Sequence, residues 1–155
     1  MKKLVMLFTL LTALSIGGCA SLQLQPADFS WPTEEVLDVS GNGVVTAKRY
    51  SVEFNIHQLL VKEFAADTLA AQSAKTVRVI RDKAGFYFVT GPKFKNVYVF
   101  GQGEGSLSLS STLSISPEKP MEDPKFNQRN TYIELLNGSS TLQLTKGGVQ
   151  QGGGK

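Results

Sequence analysis

Tyr50-Ser51-Val52-Glu53-Phe54-Asn55-Ile56-His57 alternates large apolar with polar side chains over eight residues. A β-strand sends successive side chains to opposite faces, so Tyr50, Val52, Phe54 and Ile56 share one face and Ser51, Glu53, Asn55 and His57 the other. One face is apolar and the other wet, and the same period of two recurs along the chain. Residues 36–39 and 44–47 flank Ser40-Gly41-Asn42-Gly43, a turn composition that predicts a hairpin leading into this strand. Residues 76–81 and 86–90 flank Asp82-Lys83-Ala84-Gly85, a second hairpin, and 96–100 pairs back through Gly91-Pro92-Lys93-Phe94-Lys95. Ser106-Leu107-Ser108-Leu109 and Thr112-Leu113-Ser114-Ile115-Ser116 alternate hydroxyl with aliphatic side chains, and 132–136 and 141–145 bracket Asn137-Gly138-Ser139-Ser140. Only residues 59–73 read as helical, through Leu60 with Phe64 and Leu69 with Ser73 four apart, and through Ala65, Ala66, Ala70 and Ala71. The expected fold is mainly β, an antiparallel sandwich or partly closed barrel with one short helix at about 59–73.

The N-terminus carries a different signal. Met1-Lys2-Lys3 precedes an apolar run of 13 residues, Leu4 to Ile16, against roughly 20 needed to span a bilayer core. Two positive charges, an apolar stretch and small residues before a cut are the three parts of a secretory signal. Ile16-Gly17-Gly18-Cys19 closes it, and Cys19 is the single cysteine of the chain. This segment resembles the lipobox of bacterial lipoproteins, and the resemblance covers residues 1–19. It implies that the Cys19 sulfur receives a diacylglycerol, that the signal is cut before it, and that the new amine is acylated. Three acyl chains would hold the protein on the membrane essentially permanently, since each buried methylene contributes about 0.8 kcal/mol. Ala20 follows, where many retained inner-membrane lipoproteins carry aspartate, so the resemblance favours the outer membrane.

The expected organisation is a signal peptide at 1–18, a lipidated tether at 19–32 holding Pro26 and Pro32, one β-rich domain at 33–146, and a flexible Gly-rich tail at 147–155. The 16 Lys+Arg and 13 Asp+Glu give a net charge of +3. Lys2 and Lys3 leave with the signal and every acid lies beyond Cys19, so the mature chain keeps +1. Its longest basic grouping is Lys48-Arg49, which excludes a nucleic-acid footprint.

Catalytic patterns are absent from the sequence. One histidine, His57, and one cysteine exclude a Cys/His zinc cluster of the usual spacing, so no metal or cofactor is expected. His57 reads as a solvated or helix-capping side chain, because no partner for general-base work is visible. There is no G-x-S-x-G elbow. Glu34-Glu35 and Glu122-Asp123 read as solvated pairs, and Gly101-Gln102-Gly103-Glu104-Gly105 as a turn rather than a phosphate cradle. The segment 117–130, with three prolines, is long for a compact domain and reads as functional or disordered.

Two features remain. Lys93, Phe94 and Lys95 form a hairpin tip that either folds its aromatic onto the sheet or offers a contact loop for an anionic surface or a partner protein. Phe86, Tyr87, Phe88, Tyr98 and Phe100 lie on adjacent strands, with Phe86 and Phe88 on one face and Tyr87 on the other, as core or as the lining of an apolar cavity. The expectation is therefore a lipid-anchored envelope domain at the outer membrane, partnered by an envelope protein and acting by binding rather than catalysis. A carrier of an apolar ligand is the alternative, and an enzyme whose groups converge only on folding is a second one.

Overall fold

A computed structural model describes residues 34–65 and 67–151. Cys19 and the expected signal and tether lie outside these residues. Five strands form the central sheet in the order β1 (Glu35–Asp38), β4 (Thr76–Arg81), β5 (Tyr87–Thr90), β6 (Asn96–Gln102) and β7 (Leu107–Ser114). A four-stranded meander has the order β11 (Gly148–Gln151), β10 (Ser140–Thr145), β9 (Ile133–Asn137) and β8 (Lys125–Gln128). The ribbon β2 (Val44–Ala47) and β3 (Val52–Asn55) forms a third, two-stranded sheet. All these pairings are antiparallel, and the fold is mainly β, with the layers of a sandwich and no closed barrel.

The pleat decides what each layer buries. Cross-strand partners share a face, so Ile80, Phe88, Val99 and, two residues on, Val97 and Leu113 line one side of the central sheet. Opposite them, the inner face of the meander offers Phe126, Ile133, Leu135 and Leu144, all buried. The other side of the central sheet carries Val79, Val89 and Tyr98 in one row and Tyr87 with Phe100 in the next. Helix α1 (His57–Phe64) and the β2–β3 ribbon cover that side: Phe64 meets Phe94 edge-on at 5.4 Å, and Tyr50 meets Tyr87 edge-on at 5.6 Å. Each fully buried large side chain of this set contributes about 1.5–3 kcal/mol. Glu34 ties the two main sheets together, accepting from Arg78 Nη1 (2.5 Å) on β4's side and from the Phe126 backbone N–H (2.8 Å) on β8.

Four expectations change. The Ser40–Gly43 turn forms, with Gly43 N–H on Ser40 O at 2.8 Å, but β1 pairs with β4 and β2 with β3, so the turn switches sheets instead of closing a hairpin. The helical segment is broken: α1 ends at Ala65, whose φ of 45° leaves the helical region, and α2 (Thr68–Ser73) follows. Residues 148–151, expected in the tail, form β11 against Leu142–Thr145, because Val149 pairs with buried Leu144 and covers the end of the core. The 117–130 segment is ordered: Met121 is fully buried, its N–H donates to Phe94 O (2.8 Å) and its carbonyl accepts from Lys93 N–H (2.7 Å), and the segment ends as β8. The other two hairpins, β4–β5 and β9–β10, pair as the turns around 82–85 and 137–140 indicate.

Candidate binding groove

One irregularity opens the apolar face. On β7, Ser111 pairs with Val99 but Leu109 pairs with Phe100, so Ser110 is an extra residue in the ladder. A bulge of one residue reverses the facing of everything beyond it. Leu113 therefore points into the sandwich with Val97, while Leu107 and Leu109 turn to the opposite side, beside Phe100 and Tyr87. Unbroken alternation would have kept all three leucines together.

Leu107 and Leu109 do not meet a covering element there. They form one wall of a groove of about 650 Å³, floored by Tyr87 and Phe100 and closed at one end by the turn at Gln102, Gly103, Gly105 and Ser106. The far wall is β3, whose consecutive residues Val52, Glu53, Phe54 and Asn55 all line it, followed by Ile56, Gln58 and Leu59. Phe54, which alternation assigns to a buried face, is half-buried in this wall. Leu109 is 45% exposed, one of four large hydrophobic residues on the described surface. The groove thus combines an apolar floor with a backbone edge and the amides of Asn55, Gln58 and Gln102. Two further clefts lie beside α1: a wide polar depression at Asn42, Asn55, His57 and Gln58, and one of about 420 Å³ between the helices and the Ser40–Gly43 turn.

The Lys93-Phe94-Lys95 tip has the opposite character. Phe94 is 0% exposed, and the reading of this tip as an aromatic contact loop is corrected. Gly91-Pro92-Lys93-Phe94 closes a turn, with Phe94 N–H on Gly91 O and Lys93 at φ 71°. This turn folds the ring inward against Phe64 and Tyr98, and a Cβ on Gly91 would stand 3.2 Å from that ring. Lys93 stays exposed and Lys95 is half-buried. The Glu63 carboxylate on α1 pins the tip, accepting from Lys95 N–H, Asn96 Nδ2 (2.8 Å) and the Tyr98 hydroxyl (2.6 Å).

Burial, then the hydrogen bond to Glu63 and its negative charge, raise the Tyr98 phenol well above its ordinary value of 10.0. The folded state favours neutral Tyr98, so this stabilisation is complete below about pH 10 and is lost as pH rises through the folded-state value. Tyr98→Phe should cost about 1.5–3 kcal/mol at neutral pH, the range for hydrogen bonds to charged groups. Denaturant titrations from pH 7 to about 11 should show the gap between wild type and Tyr98→Phe shrinking above pH 10. A gap that stays constant over the whole range would show that the fold does not raise the Tyr98 phenol.

His57 is exposed at the first position of α1, and its backbone N–H donates to Asn55 Oδ1 (2.8 Å), so Asn55, one residue before the Ile56 N-cap, satisfies the first free N–H of the helix. Glu34 is not a solvated acid: it is the inter-sheet tie to Arg78, while Asp123 holds Arg78 Nη2 at 2.8 Å and Lys125 at 3.1 Å. Gly101 and Gln102 end β6, and residues 103–106 make its turn into β7. Among the described residues, no three His, Cys, Asp or Glu side chains converge as a metal site, and no helix is long and apolar enough to cross a membrane. Of the aromatic set that the sequence offers as core or cavity lining, Tyr87 and Phe100 line the groove, whereas Leu107, Leu109 and the β3 wall were not foreseen. The doubled Ser110-Ser111 inside an alternating run was the one local signal. No family model, curated protein or solved structure matches the chain.

Proposed function

We propose that the chain is a lipid-anchored cell-envelope protein whose β domain is a non-catalytic binding or scaffold module in an outer-membrane or periplasmic assembly. The observation that carries the binding reading is the groove: an apolar floor left open beside a core that is otherwise filled by close-packed side chains. The anchor reading rests on the lipobox-like residues 16–19. A carrier role for an apolar small molecule is a second reading, favoured by the groove volume, which falls within the roughly 300–1,000 Å³ of ligand sites. The mouth and the polar wall fit a protein segment better, because a hydrocarbon chain would leave the backbone edge of β3 without partners.

Cys19→Ser should abolish incorporation of a labelled fatty acid and release the domain from the membrane fraction or leave the precursor uncut, because serine offers no thiolate to the acylating enzyme. Undiminished label on the variant would end the anchor reading. Affinity capture from gently solubilised envelopes should return a stoichiometric envelope protein with the wild type; a co-purifying lipid in its place would favour the carrier.

A further inference from the structure

We propose that the groove receives an extended segment of a partner protein, which adds as a strand to the free edge of β3, with alternate apolar side chains on the Tyr87–Phe100 floor beside the Leu109 wall and a lysine or arginine opposite Glu53. This deepens the binding reading and rests on it. Ile56 N–H donates to Gly43 O at 2.8 Å, and the register Val45↔Phe54 and Ala47↔Val52 then makes these the hydrogen-bonded pairs of the ribbon. Thr46↔Glu53 and Val44↔Asn55 are the alternate pairs, so the main-chain N–H and C=O of Glu53 and Asn55 point away from β2. No strand among the described residues pairs with that edge. Two residues, spaced by two, therefore present two donors and two acceptors in the repeat of an antiparallel neighbour. The ribbon approaches β1 through β2, which leaves the β3 edge on the side of β6 and β7, where the groove lies.

The edge defines the chemistry of the occupant. A strand added to it would set residues opposite Val52 and Phe54 over the apolar floor, and the residue opposite Glu53 on the outer face. Among the described residues, Glu53 is the only charged side chain lining the groove, and it is exposed, so the complementary charge is a cation at that one position. A fatty acyl chain would satisfy the floor and none of the backbone groups. An extended peptide satisfies both, in the manner of strand addition to exposed sheet edges.

The test uses the full chain in lipid nanodiscs and a fluorescent peptide, Thr-Leu-Lys-Leu-Thr, read by anisotropy and by hydrogen exchange across residues 52–56. Binding at about millimolar peptide, with slowed exchange in that segment, is expected. Methylating the lysine backbone nitrogen, which removes the amide that would pair with Glu53, should abolish binding while leaving the protein untouched. Replacing the lysine by glutamate should weaken binding about three- to fivefold, and the difference should vanish at high salt. In the protein, Glu53→Pro removes an outward N–H without breaking a backbone bond to β2, at the loss of the exposed Thr46 Oγ1–Glu53 Oε2 contact (3.2 Å), and should act like the methylated peptide. No binding, or equal binding of the methylated peptide, overturns the proposal. So does displacement of the peptide by lauric acid with no change in exchange at 52–56, or a concentration-dependent dimer that Glu53→Pro dissolves. A photo-cross-linking residue in place of Glu53, compared in cells with one in place of exposed Thr141 on the meander, separates the two readings. Cross-links to an envelope protein from position 141 alone leave the binding reading standing and remove the groove, whereas none from either position removes both.

Discussion

Phe94→Ala is expected to lower the unfolding free energy by about 3–5 kcal/mol, the range for deleting a buried aromatic ring. The ring is fully buried and meets Phe64 and Tyr98 edge-on, so its removal empties the junction between α1, β6 and the 117–124 loop at once. Both ring pairs are lost with it, each contributing about 0.5–1.5 kcal/mol beyond area burial. Lys93→Ala, one residue away and exposed, should stay within about 0.5 kcal/mol of wild type. Equilibrium urea denaturation of the two variants tests the contrast. A domain holding about 5–15 kcal/mol in total would be left marginal by the first and unaffected by the second. Equal midpoints would show that the tip does not fold inward.

Removing the Glu63 carboxylate should come next in size. Glu63→Ala deprives three donors, Lys95 N–H, Asn96 Nδ2 and the Tyr98 hydroxyl, of one shared acceptor in a half-buried site. Each donor left unsatisfied out of water costs about 1–3 kcal/mol, and water reaching this part of the surface will recover some of it, so a loss of about 2–4 kcal/mol is expected. The loss should be local in character. Hydrogen exchange at residues 91–96 should accelerate more than exchange in the meander, because the Glu63 hydrogen bonds hold the turn and β6 to α1. Uniform acceleration across both sheets would assign Glu63 to the global core instead of the tip.

The strands were legible in the sequence wherever a turn and a period of two occurred together. Asp82-Lys83-Ala84-Gly85 forms its hairpin through Gly85 N–H on Asp82 O and Phe86 N–H on Asp82 Oδ1, and both bonds are local chemistry that the residue types announce. Ser40-Gly41-Asn42-Gly43 has equally good turn chemistry and still separates two sheets, because the partner of β1 was decided by Val77 and Val79, forty residues on. Val149 shows the same limit at the other end. Its flanking glycines read as a tail, whereas pairing with Leu144 makes it a strand. Phe94 was ambiguous for a related reason: an aromatic between two lysines fits an exposed tip or an inward fold, and the φ of Lys93 at 71° selects the second. Tyr87 and Phe100 were legible as core or as the lining of an apolar cavity, but the wall beside them was hidden, since only the registration of β6 on β7 turns Leu107 and Leu109 to that face.

Ser110 can be regarded as a frame-shift written in the folded chain rather than in a gene. On its C-terminal side the Leu-x-Leu rhythm serves the interior through Leu113; on its N-terminal side the same rhythm surfaces as Leu107 and Leu109. The extra residue in β7, more than the composition of the strand, therefore decides on which face Leu107 and Leu109 stand. Deleting Ser110 would leave Leu109 and Leu113 three residues apart and therefore on opposite faces of an unbroken strand, so the wall of the groove would survive the loss of the bulge that now creates it.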